Sequence, residues 1–217
     1  MPATSSSPLE ARSKPVQKRS QERINQILAA TGELLASTPT EAITTTLIAE
    51  RAGIPVSSVY RYFPNVFSIY NALFEQVNAD QHEKIISIVE NVDAIPKWRE
   101  RFLAIIQFLR TSIDEHPFHR PLLKAIFAHP ELNRPKDTMV NSIATIIAER
   151  WRRGEDGFHG ADPDIVATMT LRVFLSIEAY LVGENDPAIR EKIFDQLVIN
   201  LESYLSKYLS DERPAGA

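Results

Sequence analysis

Apolar residues recur along most of the chain at steps of three and four, the spacing that gathers them on one face of an α-helix. Ile24, Ile27, Leu28, Thr31, Leu34 and Leu35 set this pattern from Arg19 onward, and it ends near Ser37, ahead of Pro39. A second, short helix is read from Thr44, whose hydroxyl can accept a backbone N–H of the next turn, through Ile48, Ala49 and Ala52 to Gly53. Pro55 suits the first turn of a third helix, which runs to about Phe63 and breaks at Pro64 and Asn65. Phe67, Ile69, Tyr70, Leu73, Phe74, Val77, Ile85, Ile86 and Val89 then extend one long fourth helix. Further helical stretches follow over about 96–115, 118–128, 136–153, 163–183 and 187–209. Asp162 before Pro163 and Asp186 before Pro187 each read as a cap followed by proline at the first helical position. No alternating, β-branched run bounded by hairpin turns occurs, so the expected fold class is all-α.

The ends of the chain break this pattern. Residues 1–17, rich in Ser, Pro and Ala with scattered charge, bury too little apolar surface to order themselves and are read as a flexible basic arm; 211–217 are read as a disordered tail. Between them the helices divide into a small domain over 18–64 and a larger one over 65–210. The three glycines between 154 and 160 mark the clearest internal loop.

Composition narrows the classes. The absence of cysteine excludes disulfides and thiolate zinc sites. No apolar run is read as approaching the ~20 residues that cross a bilayer, and the first residues lack the apolar stretch of a secretory signal, so a soluble, cytoplasmic protein with no membrane partner is expected. A formal net charge of −4 argues against a nucleic-acid partner only if the charge is evenly spread. Instead, residues 1–66 carry seven Lys or Arg against five Asp or Glu, and the remainder seventeen against twenty-three.

The stretch TTTLIAERAGIPVSSVYRYFPN, Thr44 to Asn65, is two short helices joined by a turn containing Gly53. A DNA-binding helix-turn-helix has this arrangement, with its second helix presented to the major groove; an ordinary helical hairpin has it too. Projection at about 100° per residue puts Val59 and Phe63 toward a core, with Ser57 and Arg61 opposite and Tyr60 and Tyr62 on the flanks. Small hydroxyls, one Arg and two tyrosines suit base edges and phosphates better than the Lys and Glu of a merely solvated face. Lys18, Arg19, Thr44, Thr46, Val56, Ser57, Ser58, Tyr60, Arg61 and Tyr62 are the candidate DNA-binding residues.

Residues Arg19 to about Leu73 resemble the DNA-binding domain of the TetR family of bacterial transcription regulators. The family's Ile-Ala pair, Ala-Gly turn and Tyr-x-Tyr-Phe ending stand here as Ile48-Ala49, Ala52-Gly53 and Tyr60-Arg61-Tyr62-Phe63. Two positions depart: Val66 stands where the family commonly has a phosphate-contacting Lys, and Ser57 where Gly is frequent. The basic arm around Lys18 and Arg19 is expected to compensate for the first, and the second to give this chain its own base preference.

The resemblance implies an N-terminal three-helix helix-turn-helix domain followed by a larger helical ligand-binding and dimerisation domain. It implies three partners: double-stranded operator DNA, a second copy of the chain, and a small-molecule effector that releases the DNA. The last two helices carry broad apolar faces, from which Met169, Val173, Ile177, Ile193, Leu197, Leu201 and Tyr204 are the expected dimer interface; an internal core would use the same stripes. Trp98, Phe102, Phe108 and Phe127, in an aromatic-rich middle, are the candidate ligand-binding residues. His116 and His119 beside Asp114 and Glu115 are separated by Pro117 and read as a helix boundary, so neither metal nor cofactor is expected. No nucleophile, acid–base pair or phosphate-binding loop is legible, which argues against an enzyme and leaves a helical protein-binding adaptor as the alternative class.

Overall fold

The computed structural model describes residues 18–91, 94–112, 115–129 and 133–211, those of 133–136 by their backbone only. The arm expected over 1–17 and the tail expected beyond Asp211 lie outside these residues. The described residues form nine α-helices and two short 3₁₀ turns, with no strand among them. The helices are α1 (Lys18–Leu35), α2 (Thr45–Ala52), α3 (Val56–Tyr62), α4 (Val66–Glu90), α5 (Trp98–Ser112), α6 (His119–Ala128), α7 (Asn133–Arg152), α8 (Pro163–Gly183) and α9 (Pro187–Leu205).

Local chemistry places the ends. Thr44 caps α2 by accepting the Leu47 N–H at 3.2 Å, and Gly53 ends that helix at φ 65, a left-handed conformation that glycine adopts without Cβ strain. Asp162 and Asp186 cap α8 and α9 by accepting from Asp164 and Ala188, with Pro163 and Pro187 in the first turn. Such caps are worth about 1 kcal/mol each. Pro55 sits just outside α3, as its N-cap.

The chain splits into two compact units. The first holds the described residues up to Asn78 and those within 114–135; the second holds 79–113 and 136 onward. The first unit therefore runs past the expected boundary at 64 and takes in α6. Its core explains why: Ile27 and Leu34 of α1, Ile48 of α2, Val59 and Phe63 around α3, Ile69 and Phe74 of α4, and Leu122 and Ile126 of α6 are all buried. A Cβ added at Gly32 of α1 would lie 3.2 Å from the Phe118 ring, so the missing side chain admits that ring closely. The α4 helix supplies its residues up to Asn78 to this unit and the rest to the other.

In the second unit, Trp98, Ala148, Trp151, Val166 and Leu205 form one apolar cluster, Ile106, Phe174, Phe194, Leu197 and Leu201 another, and Ile85, Val89 and Ile143 a third. The loop after α7 turns through Gly154, Asp156, Gly157 and Gly160, all at positive φ. It is fastened to the end of the chain by His159 N–H donating to the Tyr208 carbonyl and Ser210 N–H to that of Asp156, both at 2.9 Å.

The α8 helix corrects one expectation. By length and composition it is apolar enough to cross a bilayer, with a mean hydropathy of 1.7 over its most apolar stretch. Its apolar residues lie around much of its circumference, which a search for an uninterrupted run misses. Only 28% of that stretch is buried within the chain, so much of it still faces outward.

Candidate functional site

The helix-turn-helix is built from α2 and α3 around Gly53. Gln26 of α1 donates to the Ala52 carbonyl at 2.6 Å, tying the turn to the first helix, and the Tyr60 and Thr45 hydroxyls meet at 2.8 Å, tying α3 to the first residue of α2. On α3, Val56, Ser57, Tyr60 and Arg61 are exposed, Ser58 is half-buried, and Val59 and Tyr62 are buried ahead of a fully buried Phe63. Tyr62 is thus a correction: its ring is 7% exposed and belongs to the core, not to a flank of the outer face. At about 100° per residue it lies only about 60° from Val59, at the edge of the buried arc. Arg61, in the last turn of α3, has its guanidinium carbon 5.9 Å from the centre of the Tyr62 ring. Thr44 and Thr46 are exposed at the start of α2, and Lys18 and Arg19 on the first turn of α1.

The second unit holds a half-open cavity with room of about 120 Å³ for the centre of a water-sized sphere, some ten times what one water needs. Trp98, Phe102, Ile106, Leu109, Leu171 and Phe174 contribute to its apolar wall, and Arg101, Arg150, Asp156 and Thr170 are the polar members of the lining. Of the four aromatic residues expected to bind a ligand, Trp98 and Phe102 are in this lining. Phe108 packs instead against the cluster of Ile85, Val89 and Ile143, and Phe127 belongs to α6 of the first unit. Helical spacing cannot tell which of two buried aromatics borders a void. The charged members were missed because their spacing in sequence, 101, 150 and 156, gives no local signal.

Residues 27–73 match the model of the bacterial regulatory proteins of the tetR family. The N-terminal domain belongs to the TetR family. Over 69 residues the chain is 32% identical to the nucleoid occlusion factor SlmA of Marinomonas sp. (strain MWYL1), a match spanning 32% of this chain and 35% of that relative. Across nearly the whole chain the fold is also that of solved TetR-type structures. A TetR-family transcriptional regulator of Mesorhizobium loti aligns at a TM-score of 0.66 with 16% identity, covering 89% of this chain and all of that one. SmeT, the repressor of the Stenotrophomonas maltophilia multidrug efflux pump SmeDEF, aligns at 0.65 with 19% identity, covering 92% and 97%. At these identities the likeness is one of fold.

In the second unit the expected dimer residues separate into two groups. Leu197 and Leu201 are 4% and 2% exposed and pack on Ile106 and Phe174, so they serve the chain's own core. Met169 is exposed and Val173, Ile177, Ile193 and Tyr204 are half-buried. The outward apolar surface also carries Ile165, Tyr180, Ile189 and Ile199, at 61%, 55%, 41% and 55% exposure, none of them among the expected dimer residues. Ile165, Met169, Val173, Ile177 and Tyr180 succeed one another at steps of four or three along α8, a single stripe.

Proposed function

We propose that this protein is a ligand-responsive DNA-binding transcription regulator, a repressor that acts on DNA in the bacterial cytoplasm and leaves a pseudo-palindromic operator when a small molecule fills the cavity of its second unit. The observation that carries the reading is the sorting of α3: Val59, Tyr62 and Phe63 turned inward, Val56, Ser57, Tyr60 and Arg61 turned outward on a helix braced from α1 and α2. A helix held rigidly by its inner face, with an outer face free of acidic residues, is what a major groove accepts. Lys18 and Arg19 support it, because cations on the first turn of a helix oppose the macrodipole and so do not serve α1 itself. They are placed for phosphates, with Thr44, Thr46 and Ser58 on the adjoining surface.

The exposed stripes of α8 and α9 support a homodimer, and a two-fold dimer presents two copies of α3 to two half-sites about one helical turn, or a multiple, apart. SmeT is both an efflux-pump repressor and known in complex with triclosan, which supports a repressor with a small-molecule effector here. Release requires the ligand to prefer a state that does not bind DNA, and α4, whose residues belong to both units, is the element suited to report it.

The test is competition between the chain's own promoter fragment and random DNA at two salt concentrations. The promoter fragment is expected to win, and Arg61→Ala to lose on the order of 1–3 kcal/mol of that preference. Equal affinity for both DNAs, with Arg61→Ala behaving as wild type, would overturn the reading in favour of a protein-binding adaptor.

A further inference from the structure

Resting on the reading of the second unit's cavity as an effector site, we infer that its ligand is a monoanionic amphiphile, an apolar chain or ring system bearing one carboxylate, which Arg101 and Arg150 hold. The inference starts from charge placed where an apolar cavity has no need of it. The Arg101 and Arg150 side chains are 4% and 7% exposed, and both line the cavity. They share one buried carboxylate: Arg101 donates to Asp156, and Arg150 donates to it through Nε at 2.9 Å and Nη2 at 3.1 Å. The second carboxylate, Glu155, is divided in its turn, 2.6 Å from Arg150 and 2.8 Å from the exposed Arg153.

Among the described residues Arg101 thus donates to the shared Asp156 and to the neutral carbonyl of Ile95, and has no carboxylate to itself. The charges of Glu155, Asp211 and Glu100 favour the Arg101 guanidinium, yet burial first and repulsion by Arg150 second still bring its pKa down to about 10. A guanidinium has five N–H donors, and a buried one short of anionic partners gains most from another carboxylate. A neutral ligand would gain only apolar burial, and an ammonium would meet two guanidiniums.

The loop bearing Asp156 strengthens the case. Asp156 holds φ 61, left-handed backbone that few residues with a Cβ adopt, between Gly154 and Gly157 at φ 75 and 59. The turn presents its carboxylate to both arginines. Asp156 serves as a built-in counter-ion that an incoming carboxylate displaces or joins.

Trp98 and Trp151, the two tryptophans of the sequence, both line the cavity, so intrinsic fluorescence of the full chain reads its occupancy. The probes are decanoate, decan-1-ol and decylammonium at neutral pH, below their micellar concentrations. Decanoate is expected to bind about tenfold more tightly than decanol, with decylammonium weakest. Asp156→Asn should raise decanoate affinity about tenfold and leave decanol unchanged, while Arg101→Gln should erase the preference. If Arg101→Gln does not fold, Asp156→Asn carries the comparison alone. Decanol binding as tightly as decanoate, or Asp156→Asn leaving decanoate affinity unchanged, overturns the anion assignment and leaves the cavity reading standing. No response to any of the three overturns both.

Discussion

Tyr70 shows how far one buried hydroxyl binds the first unit to pH. Its ring is 2% exposed, and burial first, with the charge of Glu41 second, pushes its pKa from 10 up to about 12. Unfolding returns the hydroxyl to its ordinary value, so the unfolded chain ionises first. The stability this contributes is whole below pH 10 and is lost as pH climbs toward about 12, on the order of 2 kcal/mol in all. Urea midpoints followed over that range should fall more steeply for wild type than for Tyr70→Phe; parallel curves would mean that the hydroxyl is not held in its neutral form by folding. Residues of this kind also set what the sequence discloses. Phe63 and Val59 were legible as core because both lie at the centre of the apolar arc. Tyr62 was not, because an amphipathic residue at the edge of that arc is sorted by its neighbours, and composition assigns it to either side.

At the scale of the element, α8 and α9 each divide into an inner and an outer side. Both helices and their Asp-Pro starts were legible, because capping is local chemistry, whereas the last residues read into α9 are a turn after Leu205. Which apolar stripe meets a partner was not legible, since Leu197 and Met169 satisfy the same periodicity and only the packing of α5 against α9 separates them. Met169→Glu with Ile199→Glu is expected to yield monomers of unchanged helix content that bind operator poorly, read by sedimentation and circular dichroism. Leu197→Glu should instead lower subunit stability by several kilocalories per mole, since it forces a charge into a core with no counter-ion. Dimers that survive the outer pair of substitutions would place the interface elsewhere.

At the scale of the whole molecule, the fold class and the helix-turn-helix were legible while the division of the chain was not. Sequence order suggests a head followed by a body, yet α6 is separated from α4 by the whole of α5 and still belongs to the head. Its pairing with α1 joins residues about ninety positions apart, beyond the reach of any local pattern.

Gly32 turns that topology into a rule for anyone recombining such regulators. Because the ring of Phe118 packs close against its bare Cα, the head is made of two pieces of chain, and a graft that takes only the residues up to Asn78 leaves that face of α1 uncovered. Transplanted into another regulator's body, such a graft should melt lower than one carrying 114–135 as well. In the language of breeding, the head is inherited at two loci, and a cross that separates them breaks it.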